Sequence, residues 1–232
     1  MKQNNKIHNQ DKVGTFIGLD DLNDTHVAET RDAYQKNSGT YAEMWEWREG
    51  AIRKSITDLL NPYRRLIKAG DLVLVAGCGT GRDISYLNSH EIRCLGIDLS
   101  ENMLVEATKR GVSSPLVTMD IRELKLVKES FEGIFCETAL EHIPKRDIVK
   151  TFIGFYKVLK FEGCALFGFR EGDGRVFMTD DIGGKRYFTT YTQDEAERII
   201  SQVGFKVINV LKANHMLSER PGFINFFVRK TK

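Results

Sequence analysis

The sequence predicts an α/β protein with a largely parallel sheet, and three observations support that prediction. An apolar run, Leu72–Ala76, leads straight into Gly77, Gly79 and Gly81, as expected for a strand that is buried on both faces and ends in a tight turn. Segments with helical spacing then alternate with short apolar segments through the middle of the chain. Two strand-like segments follow one another at the end, which predicts a late antiparallel partner.

The predicted strands share short apolar runs that are bounded by glycine, proline or charged residues. They span Leu72–Ala76, Ile92–Asp98, Pro115–Met119, Phe131–Cys136, Gly163–Phe169, Phe205–Leu211 and Phe223–Arg229. The predicted helices begin at Asp83, at Glu101 after a Ser100 cap, at Asp147, and at Gln193 after a Thr192 cap, the last one ending at Gly204. Residues 172–184 are rich in glycine and aspartate and are predicted to form a loop.

The N-terminal 69 residues differ from the rest in composition. Residues 1 to about 20 lack periodicity, whereas residues 24–49 contain both tryptophans of the chain, with Gly39 expected to separate two short helices. Residues 50–68 have helical spacing that Pro62 should kink or divide. We therefore predict an N-terminal helical segment over residues 1–69 and a main domain over residues 70–232. The segment is either a cap that buries its aromatic residues or a lid whose Tyr34 and Tyr41 face a ligand.

The overall composition is that of a soluble protein. The chain of 232 residues is 41% hydrophobic and 28% charged, and its net charge of +2 creates no strong field toward nucleic acid or an anionic membrane. No apolar segment approaches the ~18 residues of a membrane span. The cysteines lie far apart without a CxxC pair, which favours reduced thiols in the cytoplasm over disulfides or a metal site. They are Cys78, Cys94, Cys136 and Cys164.

The glycine turn and the helix that follows it predict a cradle for a nucleotide-like cofactor, because free backbone N–H groups face the same loop. Asp98 ends the second strand, 21 residues beyond Gly77, where a carboxylate can accept hydrogen bonds from two ribose hydroxyls. A nicotinamide dinucleotide is disfavoured. Its G-x-G-x-x-G fingerprint needs a glycine at position 82, which is Arg82, whereas the third glycine here is Gly81.

Two adjacent motifs, Val73–Arg82 and Leu95–Ser100, closely resemble those of the class I S-adenosylmethionine-dependent methyltransferases. Asn102–Ala107, Leu140–Ile143 and Gly204–Phe205 follow in that family's order, so the resemblance covers about residues 70–230. It implies a Rossmann-like, seven-stranded, mostly parallel sheet with helices on both faces and an antiparallel last strand. It also implies S-adenosyl-L-methionine as the cofactor and S-adenosyl-L-homocysteine as its product.

The resemblance further implies roles for individual residues. The glycine loop would wrap the methionine end of the cofactor, Asp98 would hold the ribose, and Asp120 with the Ile121 backbone would meet the adenine. The carbonyl of Cys136 would lie beside the amino group, and Val75 stands where the family usually has an acid. An aspartate before a short turn can also simply cap it. The predicted cofactor-binding residues are Gly77, Cys78, Gly79, Thr80, Gly81, Asp98, Leu99, Met103, Asp120, Ile121 and Cys136.

Catalysis by methyl transfer requires little from the protein beyond alignment of the acceptor, since the sulfonium already has a neutral leaving group. Glu141 and His142 follow the fourth predicted strand, close to where the acceptor should lie, and either could act as a general base. The alternative is a structural role, with His142 bonded into its loop.

The sequence favours a small-molecule acceptor. It lacks the Asn/Asp-Pro-Pro-aromatic motif of base-flipping amino methyltransferases, a Pro-Cys nucleophile and a basic run. We hypothesise that Arg170 or Arg186 orients a polar or anionic acceptor, although acidic neighbours leave open a solvated mixed-charge loop. The predicted acceptor-binding residues are Tyr34, Tyr41, Arg170, Arg186 and Tyr191. A non-catalytic cofactor sensor or partner subunit is the alternative function, ahead of a nucleic-acid or protein methyltransferase. The sequence predicts no oligomeric state.

Overall fold

A computed structural model describes residues 14–19, 21–47, 49–50, 55–214 and 220–231. Its strands follow the predicted order, with three short strands in addition. They are β1 (Thr15–Ile17), β2 (Leu72–Ala76), β3 (Arg93–Asp98), β4 (Leu116–Thr118), β5 (Phe131–Cys136), β6 (Leu159–Glu171), β7 (Val176–Thr179), β8 (Arg186–Tyr191), β9 (Phe205–Ala213) and β10 (Phe223–Lys230).

Helices precede and separate these strands. The α-helices are α1 (Asp24–Lys36), α2 (Ser38–Tyr41), α3 (Asn61–Arg64), α4 (Arg82–Asn88), α5 (Glu101–Lys109), α6 (Lys145–Val158) and α7 (Gln193–Val203). Residues Ala42–Glu46 and Ile56–Leu60 are π-helical, and Ile121–Glu123 and Leu140–His142 form 3₁₀ turns. None of the helices in the described part of the chain is long and apolar enough to cross a lipid bilayer.

The predicted mostly parallel sheet with an antiparallel last strand is confirmed. Among the described residues the sheet has ten strands, and the seven predicted ones follow the order β4-β3-β2-β5-β6-β10-β9. The pairs from β4 to β6 are all parallel, whereas β10 runs antiparallel to both β6 and β9. Apolar side chains cover both faces: one layer is built around α6 and α7, and the other around α3, α4 and α5. The sheet is therefore a three-layer α/β structure, and the carboxyl ends of its central strands meet at one edge.

A small antiparallel sheet extends the fold where the sequence predicts only loops. Strand β7 pairs with β1 and β8, and β8 continues the main sheet through a parallel pairing of Arg170 with Thr190. The prediction of one loop over residues 172–184 is therefore wrong. The glycines mark turns on either side of a four-residue strand, which is too short for its alternation to stand out.

The N-terminal segment also differs in detail from the prediction. Gly39 lies inside α2, and the break between the first two helices is at Asn37. Pro62 lies in the first turn of α3, directly after a π-helical segment, where its missing N–H costs no hydrogen bond. The predicted caps are confirmed, since Ser100 accepts from the Met103 N–H and Thr192 accepts from the Glu195 N–H.

Helix α1 is tied to the main sheet by polar contacts at both of its ends. Asp24 pairs with Arg122 at 2.9 Å near its start, and Gln35 Oε1 accepts from the Ser100 hydroxyl at 2.8 Å near its end. The Thr30 hydroxyl accepts from the Tyr187 N–H at 3.1 Å between them. These contacts place α1 across the strand ends. The predicted domain boundary between residues 69 and 70 remains a prediction.

Candidate cofactor and acceptor site

Two adjoining cavities open at the carboxyl ends of the central strands. The strand-end cavity lies over β3 and β4, and the arginine cavity lies over β6 and β10. The strand-end cavity is lined among others by Asp98, Leu99, Met103, Asp120, Ile121 and His142. The arginine cavity is lined among others by Arg82, Glu137, Glu141, Arg170, Arg186, Phe188, Arg220, Phe223 and Asn225. Both cavities share Tyr34, Tyr41, Glu46, Gly77 and Thr138, which form the junction between them.

The glycine loop packs closely against neighbouring side chains and also borders both cavities. Gly77 has a φ of +69°, and a Cβ placed on it would lie 2.4 Å from the Cβ of Ala139. Gly81 has a φ of +82°, and its Cβ would lie 2.5 Å from the side chain of Val112. Gly77 and Gly79 line the cavities, whereas Cys78, Thr80 and Gly81 lie beneath them. Two of the glycines are thus required by close approach of the protein itself.

Asp98 is the carboxylate that joins the glycine loop to the strand-end cavity. Its Oδ2 accepts from the Gly79 N–H and its Oδ1 from the Ser100 N–H, both at 2.9 Å. Burial raises the pKa of Asp98, and the backbone N–H bonds oppose that rise. Each carboxylate oxygen keeps lone-pair capacity toward the cavity. The side chain is therefore held where it can accept further hydrogen bonds from a ligand.

Asp120 has a local structural role as well as a place in the strand-end cavity. Its Oδ1 accepts from the Arg122 N–H at 2.9 Å and so caps the 3₁₀ turn that begins at Ile121. Its Oδ2 pairs with the Arg122 guanidinium at 2.7 Å. Ile121 and Met103 supply apolar surface in the same cavity. The two roles considered for Asp120, capping the turn and contacting a ligand, are therefore compatible.

Cys136, a residue of the predicted cofactor set, and Val75, which stands where the family usually has an acid, both lie in the core. Cys136 is fully buried in the core and lines neither cavity, so Thr138 is the residue that reaches the junction after β5. Thr138 has a φ of +57°, a left-handed conformation that is unusual for a β-branched residue. Val75 packs among apolar side chains and is 2% exposed. An acid there would be buried away from any hydrogen-bond partner that the core supplies.

Glu46 places a carboxylate against the glycine loop from the opposite side. Its Oε2 accepts from the Thr80 N–H at 3.1 Å and forms a short hydrogen bond with the Thr80 hydroxyl. That hydroxyl also accepts from Trp47 Nε1 at 2.8 Å. Burial raises the pKa of Glu46 to about 7, against the opposing charge of Arg82. Glu46 was not predicted as a site residue, because the sequence marks it only as an acid between two tryptophans.

His142 is held as a neutral ring between two fixed partners. Its Nδ1 lies 2.6 Å from the carbonyl oxygen of Tyr187, which can only accept, so Nδ1 holds the proton. Its Nε2 lies 3.0 Å from the Tyr34 hydroxyl, which therefore donates to it. Burial lowers the pKa of His142 to about 4, and the charge of Glu141 opposes that change. The ring thus connects β8 to α1, and its Nε2 lone pair is used by the hydrogen bond from Tyr34.

Glu141 and Arg170 form a buried ion pair, which decides what each can do. Arg170 Nε and Nη2 donate to the two oxygens of Glu141 at 3.0 and 2.8 Å, and Nη1 donates to the Pro221 carbonyl at 3.1 Å. The guanidinium also lies over the ring of Phe223 at 4.2 Å. Because both groups are at most 5% exposed, their charges mainly satisfy each other. A free carboxylate base at Glu141 is therefore disfavoured.

Arg186 connects the junction to a second buried carboxylate. Its Nη1 donates to the Tyr34 hydroxyl at 3.1 Å, and its Nη2 forms a short ion pair with Asp181. Asp181 also accepts from Arg220 Nη2 at 3.1 Å. The arrangement puts the Arg186 guanidinium 5.3 Å from the Tyr34 ring centre and 5.6 Å from the Tyr41 ring centre. Tyr34, Tyr41 and Arg186 are thus brought together as the sequence predicts.

Tyr191 does not reach this site. It is fully buried in the apolar layer beside α7, with its ring against Phe169 and Lys145 over its face at 5.1 Å. Since successive residues of β8 point to opposite faces of the sheet, Phe188 and Arg186 face the arginine cavity while Tyr191 faces the core. The prediction of Tyr191 as an acceptor-binding residue is wrong for this reason. Phe188 and Phe223 provide the aromatic walls of the arginine cavity, and Phe223 was not predicted from the sequence.

A mostly parallel sheet in this strand order, with a glycine turn after β2 and an acid at the end of β3, is the architecture of the class I S-adenosylmethionine-dependent methyltransferases. Residues 73–163 match the model of the family described as "Methyltransferase domain". Residues 73–163 therefore carry a methyltransferase domain, and S-adenosylmethionine is the cofactor of the class of methyltransferases with this fold. The resemblance seen in the glycine loop and the Asp98 motif is confirmed.

Individual relatives match different lengths of the chain. YqeM, a candidate methyltransferase of Bacillus subtilis (strain 168), is 35% identical over 100 residues, which are 41% of this chain and 40% of YqeM. The chain thus spans about two fifths of the length of that relative. Thiocyanate methyltransferase 1 of Arabidopsis thaliana is 26% identical over 198 residues, 79% of this chain and 81% of the relative.

A solved structure shares the fold over almost the whole chain. It is the 1,6-didemethyltoxoflavin-N1-methyltransferase of Burkholderia thailandensis, with bound 1,6-didemethyltoxoflavin and S-adenosylhomocysteine. The TM-score is 0.74 at 18% identity, covering 97% of this chain and 98% of that chain. The likeness extends beyond the family match at residues 73–163 and includes the N-terminal segment.

Proposed function

We propose that this chain transfers a methyl group from S-adenosylmethionine to a small-molecule acceptor. The observation that supports the proposal is the junction of the two cavities, where Tyr34, Tyr41, Glu46, Gly77 and Thr138 line both. The strand-end cavity would take the adenosine part of the cofactor, and the arginine cavity would take the acceptor. The reacting atoms would then meet at the junction.

The residues present fit such a cofactor. Asp98 has the acceptor capacity for ribose hydroxyls, Met103 and Ile121 offer apolar surface for a purine ring, and Gly77 and Gly79 keep the loop free of side chains. Glu46 offers a carboxylate to the positively charged amino group of the methionine end, a role that Val75 cannot perform. When bound, the cofactor supplies a methyl group on a sulfonium whose departure leaves a neutral thioether.

The protein's own contribution would be alignment and removal of water. Holding two reactants in line can lower a barrier by about 7–11 kcal/mol without a catalytic side chain. If the acceptor loses a proton, the Tyr34 hydroxyl lies at the junction and donates to neutral His142, so a base role for His142 would run through that hydroxyl. Glu141 would serve to position Arg170.

A small acceptor is supported by the residues that line the arginine cavity. Aromatic and acidic residues of the N-terminal segment line it together with Phe188, Phe223 and Arg170. The structural neighbour that matches 97% of this chain has bound 1,6-didemethyltoxoflavin. A cytoplasmic location is part of the proposal, supported by the four cysteines, which are all buried and unpaired thiols.

The proposal is tested by mixing the chain with S-adenosylmethionine and fractions of a cellular small-molecule extract. We expect release of S-adenosylhomocysteine with at least one fraction, and mass spectrometry of that fraction should show a product heavier by one methylene. Cofactor binding without turnover on any fraction would contradict the proposal and favour the non-catalytic sensor or partner subunit.

The Glu46→Gln variant should lose a pH dependence that the unaltered chain has. The pKa of Glu46 is raised by burial to about 7, above its ordinary value of 4.5, so the side chain loses its proton as the pH rises through 7. The free energy of unfolding should therefore fall as the pH rises from about 4.5 to 8, and the substitution should remove up to about 3 kcal/mol of that fall. Urea titrations from pH 5 to 8 measure it.

The same variant should separate the two roles of this carboxylate. In the unaltered chain, affinity for S-adenosylhomocysteine should rise between pH 6 and pH 8 as Glu46 becomes an anion, and calorimetry on Glu46→Gln should show a flat profile. Glu43→Gln is the matched control, an exposed glutamate three residues earlier in the same π-helical segment. A Glu46→Gln variant with the pH profile of the Glu43→Gln control would remove Glu46 from the cofactor site.

A further inference from the structure

Asn225 is a polar residue in the middle of an apolar strand. On β10, alternate residues face opposite sides of the sheet, so Ile224 and Phe226 enter the layer around α6, and Phe227 enters the layer around α3. Asn225 lies on the same face of β10 as Phe223 and Phe227, and it lies between them along the strand. It is fully buried and lines the arginine cavity.

The amide of Asn225 is unpaired within the described part of the chain. Neither Oδ1 nor Nδ2 has a hydrogen-bond partner among the described residues. Buried polar side chains are nearly always paired, and an exception in a cavity points to a water or a ligand. Because Asn225 lines the arginine cavity, a molecule in that cavity can supply the missing partners.

The neighbouring strand is shaped to keep this amide in place. Gly168 of β6 pairs with Asn225 across the sheet, and a Cβ on Gly168 would lie 2.9 Å from Asn225 Oδ1. The same Cβ would lie 3.3 Å from the Cγ of Glu137. A side chain at residue 168 would therefore displace the amide. The absence of one leaves the donor and acceptor of Asn225 side by side in the cavity.

The charges around the cavity favour a neutral ligand over an anion. The Arg170 guanidinium is taken up by Glu141 and the Pro221 carbonyl, and Arg186 is paired with Asp181. Glu137 lines the cavity next to Gly168 and is paired with Arg82 at 3.2 Å, so the charge of Arg82 is compensated as well. Arg186 retains one buried donor, Nε, without a partner in the described part of the chain.

We propose that Asn225 selects an acceptor with a planar amide-type edge, in which an N–H group and a carbonyl oxygen stand side by side, as in a lactam or a cyclic imide. The Asn225 Oδ1 accepts from the N–H of the ligand and Nδ2 donates to its carbonyl, forming two parallel hydrogen bonds. The ring of the ligand lies in the arginine cavity, which Phe188 and Phe223 also line. This inference rests on the proposed function, because it assigns the arginine cavity to the acceptor.

The inference is tested with probes that differ only at that edge. The full chain is saturated with S-adenosylhomocysteine, and binding of 2-pyridone, which has the lactam edge, is compared with binding of N-methyl-2-pyridone by ligand-observed NMR. We expect 2-pyridone to bind about tenfold or more tightly than its methylated form, because the methyl group removes the N–H donor and leaves the buried Asn225 Oδ1 unpaired. Asn225→Leu should abolish that preference.

The Asn225→Asp variant makes the test independent of a simple loss of packing. An aspartate accepts two hydrogen bonds and donates none, so it should lose 2-pyridone and gain benzamidine, whose amidinium presents two donors. Asn209→Asp is the matched control, an exposed asparagine on the adjoining strand β9, and should behave like the unaltered chain.

The outcomes are distinct from those of the proposed function. Failure to bind S-adenosylhomocysteine would contradict the proposed function itself. With that ligand bound, absence of 2-pyridone binding, equal binding of N-methyl-2-pyridone, or an unchanged preference in both Asn225 variants would overturn the role of Asn225. Binding of benzamidine in place of 2-pyridone by Asn225→Asp, and not by the Asn209→Asp control, would support it.

Discussion

The Asp98→Ala variant should bind S-adenosylhomocysteine about 100-fold more weakly than the unaltered chain. The carboxylate holds the Gly79 and Ser100 N–H groups at 2.9 Å and faces the strand-end cavity. A hydrogen bond to a charged group contributes about 1.5–3 kcal/mol, so losing two to the ribose accounts for a factor of this size. Calorimetric titration of S-adenosylhomocysteine measures the change directly.

Two further variants separate loss of ligand contacts from loss of loop structure. Asp98→Asn keeps an oxygen that can accept from Gly79 and should lose only about tenfold in affinity. Asp173→Ala removes an exposed aspartate that pairs only with Arg175 and should have the affinity of the unaltered chain. Unchanged affinity in Asp98→Ala would contradict the assignment of the strand-end cavity to the adenosine part of the cofactor.

The Arg170→Met variant should lose about 3–5 kcal/mol in the free energy of unfolding, because removing one partner leaves the Glu141 carboxylate buried and uncompensated. Glu141 is 2% exposed and receives two hydrogen bonds from Arg170. The double variant Arg170→Met with Glu141→Leu should recover most of the loss, since both charges are then absent. Urea unfolding of both variants, followed by circular dichroism, measures the two values.

Arg175→Met is the control for this prediction. Its ion pair with Asp173 is more than half exposed on both sides, and its removal should change stability by less than about 1 kcal/mol. A loss below that size in Arg170→Met would show that Glu141 finds another partner. The double variant also tests the sequence hypothesis of a Glu141 base, because methyl transfer that survives without Glu141 excludes that role.

Local sequence signals predicted most of the main sheet. A few consecutive residues are enough to predict the strand Leu72–Ala76 and the helix caps Ser100 and Thr192. Strand burial, turn glycines and cap hydroxyls act over short distances along the chain. Local signals also predicted that the last strand, β10, is antiparallel. The extension β1-β7-β8 was missed because β1 and β7 have only three and four residues and β1 pairs with a segment that is distant in the sequence, as in the pairing of Thr15 with Met178.

The residues of the candidate site also differ in whether local sequence signals could predict them. Residues attached to the glycine turn and to the ends of β3 and β4 could be found from spacing, since parallel strands bring their carboxyl ends together. Glu46 and Asn225 could not, because each gains its meaning from a distant partner: the glycine loop for Glu46, and Gly168 of the neighbouring strand for Asn225. Tyr191 was assigned wrongly because register alone decides which face of β8 a side chain occupies.

The sequence by itself determined the α/β class, the strand order implied by its family motifs, and the cofactor whose cradle those motifs describe. These properties follow from local patterns, which survive in any chain that folds this way. Only the tertiary structure decided that Glu141 is neutralised by Arg170, that His142 is a neutral ring held by Tyr187 and Tyr34, and that the Asn225 amide faces a cavity. Burial and partnership set the charge and hydrogen-bonding capacity of each of these groups, and both arise only when distant segments meet.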